Sequence, residues 1–111
     1  MTFVELLDKT KTVSYQELRK DAVDYLELVI PSAASSDLCR VLEEFFGPPF
    51  KPAGLNPSKE AEKHASRWGG VQKNQVLYYL EADGVSNCAM LWPWGSGAQI
   101  TVKIASGHID K

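Results

Sequence analysis

The last third of the chain alternates apolar and polar residues with the period of a β-strand. In AQITVKIAS, apolar positions 100, 102 and 104 alternate with polar positions 99, 101 and 103, which predicts a strand with one buried and one solvated face. Two further strand-like segments, QVLYYLEA and SNCAMLW, flank Asp83-Gly84, a dipeptide typical of hairpins, although we expect the loop to reach Ser86. The glycines at 95 and 97 mark a second turn. This part of the chain therefore predicts an antiparallel meander of three strands over residues 75–105.

Three segments of the first two thirds predict helices, because their apolar residues recur at helical spacing. Thr2 is the predicted N-cap of TFVELLDKT, while SSDLCRVLEEFF is capped by Ser35 or Ser36 and ends at Gly47. NPSKEAEKHASRWGG is predicted to begin with Asn56 as N-cap and to end at glycines 69 and 70. Its apolar stripe is narrow, so we expect this third helix to lie on the surface.

The segment between the first two helices permits two interpretations. Ser14 followed by Glu17 matches a capping box, which predicts a helix from Ser14 to about Val23. Alternating leucines and isoleucine at positions 26, 28 and 30 then favour a strand, but a single helix to Val29 fits almost as well. Residues 24–30 are therefore left open between helix and strand, and the sheet has three or four strands accordingly.

These elements predict one α+β domain over residues 1–111, in which a three- or four-stranded, mainly antiparallel sheet packs with two to four helices in two layers. The length of 111 residues, 44% hydrophobic and 23% charged, is ordinary for a single folded domain. Glu5 and Asp8 interrupt the N-terminal apolar cluster, and no apolar run approaches the roughly 20 residues of a membrane helix. We therefore expect a cytoplasmic protein with no membrane partner, and the net charge of -2 gives no reason to expect a nucleic-acid partner.

The two upstream strands of the meander are apolar on both faces, unlike the last one. Both alternating sets of QVLYYLEA and SNCAMLW contain large apolar residues. A meander with helices on one side needs only one apolar face. The second face must therefore be covered by the chain's own N-terminal helices, which is the favoured interpretation, or by a partner subunit or a ligand.

Two tryptophans lie on either side of Pro93 in MLWPWGSG. Trp92 and Trp94 are two residues apart, so they share a face if the strand persists, and Pro93 marks a strand end or edge. Large aromatic residues often cover the end of a core, which is the favoured explanation for Trp92. Trp94 lies beyond the proline and is the stronger candidate for an exposed binding ring.

Candidate chemical groups are few. His64 lies four residues after Glu60, a spacing that suits a general base but is more typical of an exposed helix pair. Cys39, Cys88 and the two histidines lack the short paired spacing of a zinc site, so we expect no metal and no cofactor. The two cysteines are interpreted as core residues, and whether they lie near each other is left open.

A basic glycine turn follows the third predicted helix. In RWGGVQKN, Arg67 and Lys73 accompany adjacent glycines, and such a turn can bind an anion. However, a helix ends there rather than begins, so its dipole does not favour an anion, and a helix C-cap is the preferred explanation of the glycines.

The sequence favours a small, non-enzymatic binding module that recognises a protein partner or pairs with itself through its sheet, with Trp94 and Phe50 as anchors. The alternative is a small-molecule-binding domain or small enzyme with an aromatic-lined pocket near Trp92 and Trp94. The candidate binding residues are Trp94, Trp92, Phe50, Trp68, Tyr79 and His64. No residue is assigned a catalytic role.

Overall fold

A computed structural model describes residues 1–108 of the chain. The helices are Phe3–Thr10 (α1), Ser35–Phe46 (α2) and Lys59–Ala65 (α3), and the strands are Glu17–Asp21 (β1), Tyr25–Pro31 (β2), Val76–Ala82 (β3), Val85–Pro93 (β4) and Gln99–His108 (β5). The strands form one antiparallel sheet in the order β1-β2-β5-β4-β3. The predicted α+β class is confirmed, but the sheet has five strands rather than three or four. Across residues 1–108, every helix is too short or too polar to cross a membrane.

The additional strand is β1, where the sequence predicted a helix. Glu17–Asp21 pairs with β2 along its length and has a bulge between Leu18 and Lys20. All five residues are exposed, so the apolar alternation that identifies a strand is absent from ELRKD. The predicted capping box at Ser14 is therefore wrong. Residues 25–31 are a strand, which settles the alternative between strand and helix in that segment.

The main core lies between α1, α2 and one face of the sheet, which we call the first face. The central strands β2, β5 and β4 contribute their alternate residues, so that Leu28 lies opposite Val102 and Val102 opposite Leu91. Leu38 and Leu42 from α2 pack on this surface and are fully buried. The alternation predicted for β5 is thereby confirmed.

The opposite surface, the second face, is covered by α3 rather than by the N-terminal helices. Ala61 and Ala65 of α3 pack with Val71 on a smaller cluster formed by strand residues such as Cys88 and Met90. Coverage by the chain's own helices was the expected outcome, but α1 and α2 are both used on the first face. The 3₁₀ turn Ser66–Trp68 continues α3 and ends at Gly69, whose φ of 106° suits a glycine C-cap.

Several predicted element ends are shifted. The N-cap of α3 is Ser58 and not Asn56, and the Ser58 side chain accepts a hydrogen bond from the Ala61 amide. Helix α2 follows a 3₁₀ turn and begins after Ala34, which makes no side-chain cap, so neither Ser35 nor Ser36 is the N-cap. The β3–β4 loop consists of Asp83 and Gly84 alone, both with positive φ, and is shorter than predicted.

A buried lysine fixes the loop between α3 and β3. The Lys51 ammonium donates to the backbone carbonyls of Gln72, Lys73 and Gln75 at 2.7, 2.6 and 2.5 Å. Its backbone also pairs with Leu77 of β3. Burial lowers the pKa of Lys51, but three carbonyls satisfy all three of its donors. The lysine therefore joins the chain segment before α3 to the segment after it.

Candidate binding site

Cationic and aromatic side chains alternate over the second face where α3 does not cover it. Four pairs place a cation over a ring, at distances from the ring centroid of 3.6 to 5.9 Å. They are Lys103 over Trp92, Arg67 over Trp68, Lys20 over Tyr25, and Arg19 over Trp94. Each contact of this kind contributes about 0.5–1 kcal/mol at exposed sites. The pairs orient the cations across the face.

Three of these cations line one cleft of about 470 Å³, which we call the cation cleft. Its lining residues are Lys20, Asp24, Tyr25, Arg67, Trp68, Lys103 and Ser106. Asp24 supplies the single carboxylate of this lining. Across residues 1–108, no carboxylate lies within 4.0 Å of the charged nitrogens of Lys20, Arg67 or Lys103. The lining therefore carries a net positive charge, with three cations against the carboxylate of Asp24.

The cations reach the cleft from three separate elements. Lys103 lies on β5, and its ammonium sits 3.6 Å from the Trp92 ring centroid and close to Gly69. Arg67 lies on the 3₁₀ turn and donates to the His108 carbonyl at 3.0 Å. A Cβ at Gly107 would lie 2.7 Å from this guanidinium, so the glycine provides the space that Arg67 occupies.

The third cation, Lys20, extends from the edge strand β1 over the ring of Tyr25. The Tyr25 hydroxyl donates to Glu27 at 2.5 Å. Burial, together with this hydrogen bond, raises the pKa of Tyr25, so the phenol is neutral at physiological pH. Glu27 is also 3.7 Å from Arg19, and it lies opposite both Lys20 and Lys103 in the sheet, so a second carboxylate borders the cleft.

Phe50, His64 and Tyr79 form a separate aromatic cluster over β3. The rings of His64 and Tyr79 are stacked, with centroids 3.6 Å apart, and Phe50 meets both edge-on. The Tyr79 hydroxyl donates to Glu81. Burial raises the pKa of Tyr79 to about 12. His64 Nε2 is 3.7 Å from Glu60, the helix pair expected from the spacing. This cluster borders a second cavity of about 370 Å³.

The three tryptophans have different roles. Trp92 and Trp94 share the second face, as predicted, but Trp92 packs beside Gly69 and Trp68 whereas Trp94 lies towards β1. The Trp94 indole N–H donates to Thr101 at 2.9 Å, and Arg19 lies over its ring. Trp94 is 37% exposed, so it is partly structural. Of the predicted site residues, Trp68 alone lines the cation cleft.

The remaining candidate groups are not brought together. Cys39 lies on α2 over the first face, whereas Cys88 is buried on the second face, and both are free. Burial raises the pKa of the Cys88 thiol to about 12, so it is protonated near neutral pH. Within residues 1–108, no group of three or more histidine, cysteine or acidic side chains is arranged to hold a metal ion.

Two of the three cleft cations, Lys20 and Lys103, were missed by sequence reasoning, and the anion-binding interpretation of Arg67 was set aside. Lys103 occupies a polar position of an alternating strand, and Lys20 belongs to a segment predicted as helix. The basic glycine turn at Arg67 was the one available signal. This turn contributes the Arg67 side chain to the cleft and not a helix N-terminus, so considering the helix dipole did not reveal it.

In comparisons with known proteins, no family model, curated protein or solved structure matches the chain.

Proposed function

We propose that this protein is a non-enzymatic binding module whose ligand is a small anion that occupies the cation cleft. One observation carries the proposal: three cationic side chains and two aromatic rings line one cleft of about 470 Å³. Volumes of about 300–1,000 Å³ are typical of small-molecule sites. This proposal develops the small-molecule alternative suggested by the sequence, with a different set of residues.

Three positive charges converge on the cation cleft. Lys20, Arg67 and Lys103 come from three elements and line the same cleft, so their like charges repel one another there. Positive charges that face one concave surface raise the local concentration of anions and their association rate. A bound anion would screen the mutual repulsion of the three cations, which supports a ligand of opposite charge.

The non-enzymatic part of the proposal rests on the composition of the cleft. Its lining contains neither histidine nor cysteine, the side chains that most often act as base and nucleophile near neutral pH. Cys88 is a protonated thiol packed against α3, and His64 is stacked on Tyr79 away from the lining. The cytoplasmic location stays a prediction. The two free cysteines are consistent with it, because disulfides are rare in reducing compartments.

A protein partner anchored by Phe50 and Trp94 has less support. Phe50 contacts the cluster over β3, whereas Trp94 lies with Thr101 and Arg19 towards β1, at the opposite side of the sheet. Self-association through the apolar faces of β3 and β4 also has less support, because α1 and α2 pack on one face of the sheet and α3 packs on the other.

A nuclear magnetic resonance titration with sodium pyrophosphate tests the proposal. We expect chemical-shift changes confined to amides around the cleft, with Trp68 and Lys103 among the largest, and none with sodium chloride at equal ionic strength. Lys103→Gln should abolish the changes. Arg40→Gln is the matched control, because Arg40 is an exposed cation on α2, beyond the first face. Changes that are uniform over the surface, or that persist in Lys103→Gln, would contradict the proposal.

A further inference from the structure

We infer that the ligand of the cation cleft joins a phosphate-type oxyanion to a planar ring, as a mononucleotide does. The inference rests on the proposed function and adds the chemical class of the ligand. It is carried by the way in which charge and aromatic surface are combined in the lining.

The oxyanion part follows from the number and the origin of the cations. An ammonium from β1, a guanidinium from the 3₁₀ turn and an ammonium from β5 line the same cleft. A carboxylate has two oxygens and one charge, whereas a terminal phosphate has three oxygens and close to two charges. Three separate cations are therefore matched better by a phosphate. A guanidinium also suits a phosphate through its forked donors.

The planar part follows from the rings that lie beneath the cations. Tyr25 and Trp68 both line the cleft, and each has a cation over its face. Both are only partly buried and line the cleft, so part of each ring is exposed there beside its cation. Aromatic side chains stack flat ligands, and one such contact with a nucleobase contributes about 1–3 kcal/mol. A ring attached to the phosphate would use this surface, which a simple inorganic anion cannot.

The boundaries of the positive surface favour a small ligand over a nucleic-acid strand. The next cation–ring pair beyond the cleft is Arg19 with Trp94. The Arg19 guanidinium is already paired, at 2.9 Å from Glu17 and 3.7 Å from Glu27. A polyanion that ran on towards β1 would meet these carboxylates, so the attractive surface ends in that direction.

Calorimetric titration of the whole chain with three probes tests the inference. We expect adenosine 5′-monophosphate to bind at least about tenfold more tightly than either inorganic phosphate or adenosine, since each of these supplies one half of the recognition. Lys103→Gln should weaken the monophosphate and phosphate alike. Tyr25→Leu should weaken the monophosphate alone, while Tyr25→Phe, which keeps the ring, should retain the affinity of the unaltered protein.

The other outcomes separate this inference from the proposed function. Suppose that adenosine 5′-monophosphate binds no more tightly than phosphate while pyrophosphate still shifts the cleft amides. The inference that the ligand contains a planar ring is then wrong, and the proposed anion site stands. If adenosine alone binds as tightly as the monophosphate, the inference that the ligand carries an oxyanion is wrong. Much tighter binding of a short single-stranded oligonucleotide would replace the small ligand with a nucleic acid. If neither the monophosphate nor pyrophosphate binds, both proposals fail.

Discussion

Gly69 lies against the indole of Trp92 so closely that a Cβ on the glycine would come within 2.7 Å of Trp92 Cη2. The same glycine has a φ of 106°, in the region that side chains disfavour. It follows the 3₁₀ turn that carries Arg67 and Trp68. This single contact therefore determines how closely one side of the cation cleft approaches the sheet.

Gly69→Ala should lower the free energy of unfolding by about 2–4 kcal/mol, because it adds a steric overlap to backbone strain. Gly70→Ala is the matched control: its φ of 85° is also positive, but a Cβ there meets nothing within 4 Å. The control should cost only about 1–2 kcal/mol. Urea denaturation followed by tryptophan fluorescence measures both. Equal losses in the two variants would show that the Trp92 contact has no energetic weight.

Replacement of the buried Lys51 by Met should destabilise the protein by more than about 2 kcal/mol. The methionine fills the space but leaves the three carbonyls without their shared donor, and each buried polar group left unsatisfied costs about 1–3 kcal/mol. Lys73→Met removes an exposed ammonium from the same loop and keeps the Lys73 carbonyl, so its stability should barely change. Thermal unfolding of the pair is the measurement. A stable Lys51→Met variant would refute a structural role for the ammonium.

Stability should fall as the pH rises above 9, partly because of Cys88. Its pKa is raised from 9.0 to about 12 in the folded state, so the unfolded chain loses this proton first. The folded state is favoured while both states are protonated, and this advantage is lost as the pH rises through the window between the two pKa values. Between pH 8 and pH 10.5 the protein should lose about 2 kcal/mol more stability than Cys88→Ala. Parallel pH profiles would contradict this.

The stack of His64 on Tyr79 should contribute to stability without affecting the anion site. Tyr79→Leu removes the stack and the edge contacts of Phe50, so we expect a loss of about 1 kcal/mol beyond the change in buried area. Tyr79→Phe keeps the rings and loses the exposed hydrogen bond to Glu81, at a cost of roughly 0.5 kcal/mol. Pyrophosphate should bind both variants as it binds the unaltered protein. Weakened binding in Tyr79→Phe would place this cluster in the site.

The apolar pattern predicted the sheet where burial follows the strand period. In β5 and β2 the alternate residues reach the main core, and their periodicity is visible in the sequence. β1 has no buried residue, so its conformation is set by pairing with β2 and not by its own pattern. Ser14 and Glu17 have the spacing of a capping box, but a capping box supplies too little energy to outweigh a ladder of backbone hydrogen bonds.

The candidate site was the least predictable feature, because its members are polar and come from distant segments. Lys20, Arg67 and Lys103 each occupy a position that is ordinary by itself: an edge strand, a helix end and a solvated strand face. The strand order brings β1 and β5 to either side of β2, and the placement of α3 on the second face adds the arginine. Aromatic residues attracted attention in the sequence, but most of them stabilise the coverage of the second face.

The one-sided attachment of β1 has a kinetic consequence. Within the sheet this strand pairs with β2 alone, and its five exposed residues anchor it with little buried surface. Segments of this kind detach by local fluctuation at a far lower free energy than global unfolding, which amide hydrogen exchange records as weak protection. Because β1 carries Lys20, its detachment removes one cation from the cleft while the core stays folded. A bound anion would then lose one of its three cationic contacts without any unfolding of the domain.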